Sequence, residues 1–179
     1  MRVIAGRYKG RRLKAPTWEG LRPTSDKLRE TLFNILAPRI DGARVLDGYA
    51  GTGAVGIEAL SRGAAHVTFV EKDRRATALI AENVAACDAA ADYTIETGDT
   101  VTLLRRGVAA PFDLIWLDPP YDSADSFDAL DAAADALAPG GLVVLERATR
   151  RQPNVPAMLS RVRDVKSGDS TLTFFARSS

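Results

Sequence analysis

The sequence predicts an α/β fold: a doubly wound, mostly parallel sheet of seven strands with an antiparallel C-terminal edge. A small N-terminal β-hairpin and a helix precede it. Three features of the chain point there. From Ala43 onward, short apolar runs alternate with helical stretches, the pattern of parallel strands joined by crossover helices. A glycine-rich turn follows the first of those runs, as at the phosphate or nucleoside end of such sheets. Near the end, two β-rich runs flank Gly168-Asp169, which reads as a hairpin turn.

Taken in order, residues 2–5 and 11–14 alternate short apolar pairs with glycine and basic residues and read as the hairpin strands. Pro16 to Pro23 reads as a loop. Thr24 or Ser25 can cap a helix running to about Ala37, with Leu28, Leu32, Ile35 and Leu36 on one face. Pro38 and Asp41-Gly42 are expected to end it. Strands are expected at Arg44–Asp47, His66–Glu71, Tyr93–Thr97, Asp113–Asp118 and Gly141–Glu146. Helices are expected at Gly53–Ser61, Arg74–Ala86, Thr100–Arg106 and Phe127–Ala138, the last stopped by Pro139-Gly140-Gly141. Arg161–Val165 and Thr171–Ala176 form the antiparallel edge.

A length of 179 residues suits one domain with a sizeable core and a small appendage. No apolar stretch approaches the roughly 20 residues that span a bilayer, and the start, Met1 to Arg7, is too basic for a signal peptide. A single cysteine, Cys87, excludes an internal disulfide and points to a reducing compartment, so a cytoplasmic protein is expected. It falls on an alanine-rich helix and reads as a small core residue. With His66 the sole histidine, neither a metal site nor Ser-His or Cys-His machinery is expected.

Charge is uneven. Residues 1–39 carry ten Lys/Arg against Glu19, Asp26 and Glu30, a balance of +7 in a chain of net +1, which leaves −6 for the rest. A basic arm on an acidic body points to a polyanion bound at one end. Arg7, Lys9, Arg11, Arg12, Arg22 and Arg29 are the expected phosphate contacts, with binding that weakens steeply with salt.

Val45 to Gly56 reads as strand, tight turn and helix start, and Gly51, Gly53 and Gly56 spell G-x-G-x-x-G. Glu71 ends the next strand, where that fingerprint expects an acid for ribose hydroxyls. Asp47, four residues before the first glycine, would repel a pyrophosphate. It suits a cationic ligand, such as the amino-acid end of S-adenosylmethionine. Asp99 can accept from an adenine amine, although Gly-Asp is also an ordinary turn. Tyr49, Lys72 and Thr100 adjoin these residues and complete the expected cofactor set.

The fourth strand ends in Asp118-Pro119-Pro120-Tyr121. Two prolines bar ladder hydrogen bonds and stiffen the backbone. They hold an acid, carbonyls and a phenol ring at a strand's carboxyl end, where open α/β sheets bind ligands. A planar base with an exocyclic amine fits: carboxylate and carbonyl accept from the NH2, and the ring stacks. A proline-stiffened loop is the plain alternative.

These residues resemble the Rossmann-like, class I S-adenosylmethionine-dependent methyltransferases. More narrowly, the chain resembles the RsmD family, bacterial guanine-N2 methyltransferases of 16S ribosomal RNA. The similarity lies in Arg2-Val3-Ile4-Ala5-Gly6, Lys9 to Leu13, Arg22 to Asp26, Arg29 to Asn34 and Glu58-Ala59-Leu60-Ser61-Arg62-Gly63-Ala64. Two departures stand out: Gly48, where the family more often has a bulky apolar residue, and Ser167-Gly168-Asp169-Ser170, where Tyr-Gly-Asp-Thr is usual. Gly48 is expected to loosen the cofactor turn.

The resemblance implies S-adenosylmethionine as cofactor and a guanine of 16S rRNA as substrate, in an assembling 30S subunit. It implies no metal or membrane, and a monomer is expected. Residues 1–39 would then be an RNA-contacting appendage and residues 40–179 the methyltransferase domain. Asp118 and the Pro119 carbonyl would accept the two amine hydrogens, free the nitrogen lone pair and stabilise the developing charge. Asp118 could take the proton, Pro120 would hold the corner rigid, and Tyr121 would stack on the extruded base. A nicotinamide-dependent oxidoreductase, a non-catalytic ribosome-assembly factor and a DNA or other RNA amino-methyltransferase stay open as alternatives.

Overall fold

We describe a computed structural model over residues 1–20, 24–89, 92–120 and 125–178. The elements run α1 (Asp26–Ile40), β1 (Arg44–Gly48), α2 (Ala54–Ser61), β2 (His66–Glu71), α3 (Arg74–Ala86) and β3 (Tyr93–Thr97). They continue α4 (Thr100–Arg105), β4 (Phe112–Leu117), α5 (Asp125–Ala136), β5 (Leu137–Ala148), β6 (Leu159–Ser167) and β7 (Ser170–Arg177). Seven strands form one mixed sheet in the order β3-β2-β1-β4-β5-β7-β6. β3, β2, β1, β4 and β5 are mutually parallel, while β7 runs antiparallel to both β5 and β6. Chain order reverses between β1 and β4, and this switch point opens the crevice where doubly wound sheets bind ligands.

Strand alternation sends neighbouring residues into two apolar layers. Val45, Phe69, Trp116, Val144 and Phe174 pack on one face with Phe33 of α1, Ile57 of α2 and Ile80 of α3. Leu46, Ile115, Leu117, Leu145 and Phe175 pack on the other with Leu130 and Ala133 of α5.

Three expectations need correction. The N-terminal hairpin is reduced to a single bridge, Arg2 to Arg12, because Gly6 and Gly10 take positive φ and the intervening chain turns tightly. Pro38 does not stop α1. It lies inside the last turn, where a missing N–H forfeits one bond, and Asp41 is the C-cap. α5 ends at Ala136, and Pro139-Gly140-Gly141 belong to β5. Leu137 pairs with Phe112, and a register shift lets the irregular stretch rejoin at Leu114–Leu142; prolines are tolerated at such irregularities.

The N-terminal segment docks on α2 through a buried polar cluster. Glu58 is fully buried and accepts from Ile4 N at 2.8 Å, Ala5 N at 3.0 Å and Arg62 Nε at 2.7 Å. Arg29, equally buried, places Nη1 3.5 Å from Glu58 and donates from Nη2 to Asp26 at 2.6 Å and to Arg2 O at 2.9 Å. A Cβ on Gly6 would lie 1.9 Å from Ser61 O, so only glycine lets the backbones meet. Asn83 ties Lys14 to the glycine loop by donating to Lys14 O and Thr52 O. Among the described residues, Val3, Tyr8, Leu13 and the buried side of α1 join the sheet's own core.

Candidate active site

A cleft of about 830 Å³ opens over the carboxyl ends of the parallel strands. The β1–α2 turn forms its floor. Tyr49 has φ +64, an uncommon backbone for an aromatic residue, and Gly51 and Gly53 follow at +57 and +75. Gly51 N donates to Glu71 Oε2 at 2.9 Å, and Glu71 Oε1 accepts from Asp73 N at 2.9 Å. Those bonds fix Glu71 at the rim. A Cβ on Gly56 would come within 2.2 Å of the Phe69 ring, so the third glycine lets α2 lie against β2.

Tyr49, Gly51, Glu71, Lys72, Asp99 and Thr100 all line the cleft. Asp99 caps α4, with Oδ1 accepting from Thr102 N at 2.7 Å and from its hydroxyl at 2.8 Å. Those bonds hold its carboxyl below the usual aspartate range.

Asp47 and Gly53 lie deeper. Asp47 is 1% exposed and its Oδ2 accepts from Gly56 N at 2.8 Å, satisfying one of the free N–H groups at the start of α2. Burial, helped by Glu71, pushes its carboxyl up to about 8. It borders a cavity of about 30 Å³ that shares Tyr49, Gly51, Thr24 and Asp118 with the main cleft. Asp47 therefore lies enclosed under the glycine loop rather than open to the cleft, and burial disfavours its charged form. Gly53, the α2 N-cap, is buried against Ile80 and shapes the turn from beneath. At Gly48 a Cβ would meet Thr100 Cγ2 at 2.9 Å and Leu117 Cδ2 at 3.1 Å, so neighbouring side chains crowd that position.

Asp118, Pro119 and Pro120 line the opposite wall. Burial, then the charges of Glu146 and Asp47, raise the Asp118 carboxyl well above its ordinary value. Tyr121 and Arg22 lie outside the described residues. Arg7, Lys9, Arg11 and Arg12 are exposed on the N-terminal segment, with Arg11 pairing to Asp88 at 3.0 Å. Arg29 cannot be a phosphate contact. Its side chain is wholly enclosed by the docking cluster.

The sequence reading missed Glu146, 6% exposed, and Ser170, whose hydroxyl donates to Glu146 Oε1 at 3.0 Å; both line the cleft. The signal was present, since Glu146 ends the fifth predicted strand as other acids end the first four. Trp18, under the Arg75 guanidinium at 5.1 Å, was also missed at the cleft's mouth. What the arrangement can do is hold a nucleoside between Glu71 and Asp99 and present a second planar group to Asp118-Pro119.

Comparison with known proteins bears on that arrangement. The family model "Conserved hypothetical protein 95" matches residues 1–176. The protein named ribosomal RNA small subunit methyltransferase D of Escherichia coli K12 is 36% identical, over 99% of this chain and 90% of its own. Its namesake in Haemophilus influenzae is 37% identical over 82% of this chain and 78% of its own. The solved structure of the Escherichia coli protein yhhF superposes with a TM-score of 0.86 at 35% identity, covering 99% of this chain and 97% of that one.

Proposed function

This chain belongs to the conserved hypothetical protein 95 family, the RsmD family, and from that membership we propose that it methylates small-subunit ribosomal RNA. The finer reading is transfer of a methyl group from S-adenosylmethionine to the N2 amine of a guanine in 16S rRNA. One observation carries it: Asp118-Pro119 and the glycine loop converge on a single cleft at the sheet's switch point. An rRNA substrate, taken from the assembling 30S subunit, would place the enzyme in the cytoplasm.

Bound S-adenosylmethionine supplies an electrophilic methyl group on sulfonium. Glu71 would accept the ribose hydroxyls, Asp99 the adenine amine, and Asp47 would face the cationic end through the small cavity shared with Tyr49 and Gly51. A guanine amine is a poor nucleophile because its lone pair is delocalised into the ring. Asp118 carboxylate and Pro119 O would accept its two hydrogens, turning the lone pair out of conjugation, and Asp118 would carry off the proton. Because the Asp118 carboxyl is raised, the accepting form gains population with rising pH, and methyl transfer should rise with it. Exposed Arg7, Lys9, Arg11 and Arg12 would take RNA phosphates.

The test is transfer from labelled S-adenosylmethionine to 30S particles or rRNA lacking the modification. Asp118→Ala should lose about a hundredfold or more in rate while still binding cofactor in calorimetry. Unchanged transfer removes Asp118 from the chemistry, and a wild-type protein that binds no S-adenosylmethionine ends the enzyme reading.

A further inference from the structure

No step above uses Glu146, although it stands beside Asp118. β4 and β5 run parallel with Leu117 opposite Leu145, so Asp118, the first residue past β4, lies beside Glu146 within β5. Glu146 is buried, lines the cleft and acts electrostatically on Asp118. The turn between β6 and β7 reaches over to it: Asp169 O accepts from Thr149 N at 2.8 Å, and the Ser170 hydroxyl donates to Glu146 Oε1 at 3.0 Å. The Ser170 bond orients the Glu146 carboxyl on the cleft wall, and a carboxylate in that place accepts from a donor on the substrate.

Guanine presents such a donor next to its amine, the ring N1–H. We propose that Glu146 is a specificity-determining residue that accepts guanine N1–H while Asp118 accepts the amine, with Ser170 as its positioning residue. This rests on the guanine-N2 reading above. A base whose amine adjoins a bare ring nitrogen, such as adenine or 2-aminopurine, sets a lone pair against the carboxylate. Sites built around a hydrogen bond reject analogues lacking it far more strongly than apolar pockets reject a misfit.

The probe is RNA in which the target guanine, located by mass spectrometry of the wild-type product, is replaced by 2-aminopurine. That base keeps the N2 amine and lacks the N1 hydrogen. Wild type should methylate the guanine RNA at least about a hundredfold faster. Glu146→Gln, whose amide can donate to the bare nitrogen, should narrow the ratio about tenfold or more. Ser170→Ala should narrow it in the same direction, and Ser170→Thr, which keeps the hydroxyl, should restore it. Both rates come from one preparation, so a partial folding defect cancels in the ratio. A wild-type ratio near one, or a ratio unmoved in both Glu146→Gln and Ser170→Ala, overturns the inference and leaves guanine methylation standing. A wild-type RNA product without N2-methylguanine overturns the underlying reading and this inference together.

Discussion

Replacing Asp47 by asparagine tests how the cofactor's positive end is received. Asp47 is enclosed, and burial lifts its carboxyl from 3.8 to about 8 even though Gly56 N–H opposes the shift. At pH 7 such a group is roughly nine-tenths protonated. A cationic ligand end beside it favours the ionised form, so binding should expel that proton. Calorimetry at pH 7 in buffers of different ionisation enthalpy measures the release. Wild type should release about 0.9 proton more per S-adenosylmethionine than Asp47→Asn, a difference falling to about 0.1 at pH 9. Wild-type affinity should also gain nearly tenfold per pH unit up to about pH 8, relative to the variant.

Stability moves the opposite way. The unfolded residue titrates near 3.8 and the folded one near 8, so between those values the native chain holds a proton that the unfolded chain has lost. Its stabilising contribution is complete below about pH 4 and declines by ~1.4 kcal/mol per unit as pH rises toward 8. Asp47→Asn keeps an acceptor for Gly56 N–H and should flatten that slope. Equal proton release by wild type and variant at pH 7 refutes the assignment of Asp47 to the cationic end.

Arg29→Ala leaves Glu58 with one cation fewer and strips donors from Arg2 O and Ala54 O. Removing one partner of a buried ion pair costs about 3–5 kcal/mol, which in thermal unfolding should lower Tm by about 6–15 °C. A Tm within about 2 °C of wild type would show that the Arg29–Glu58 contact contributes little to stability. Lys9→Ala and Arg12→Ala should each reduce the slope of log affinity for rRNA against log salt by about one. Filter binding across a salt series reads it, and unchanged slopes would move the RNA interface away from the N-terminal segment.

β2, β3 and α3 end where local pattern places them because short-range chemistry bounds each one. Asp73, for instance, caps α3 by accepting from Arg75 N at 2.8 Å. The α5–β5 boundary was not legible, since Leu137 leaves the helix to pair with Phe112, a partner 25 positions away in the chain. Arg29 shows the same limit. Within a basic segment it reads as one more surface cation, and nothing nearby announces that Glu58 waits on α2. The strings Arg2 to Gly6, Arg29 to Asn34 and Glu58 to Ala64 pointed to the family, and the fold gives several of their residues a common physical task. They seat the N-terminal segment on the sheet.

By itself the sequence determined the strand–helix alternation, the glycine turn, the acids on the strand ends and the stiff Asp118-Pro119-Pro120 corner. Each depends on backbone chemistry within a few residues. Tertiary structure alone decided which acids face the cleft, that Asp47 lies buried beneath its turn with its carboxyl pushed up, and that Glu146 and Ser170 complete the wall beside Asp118. Charge state and mutual distance depend on burial and strand register, and both are set by contacts between residues far apart in the chain.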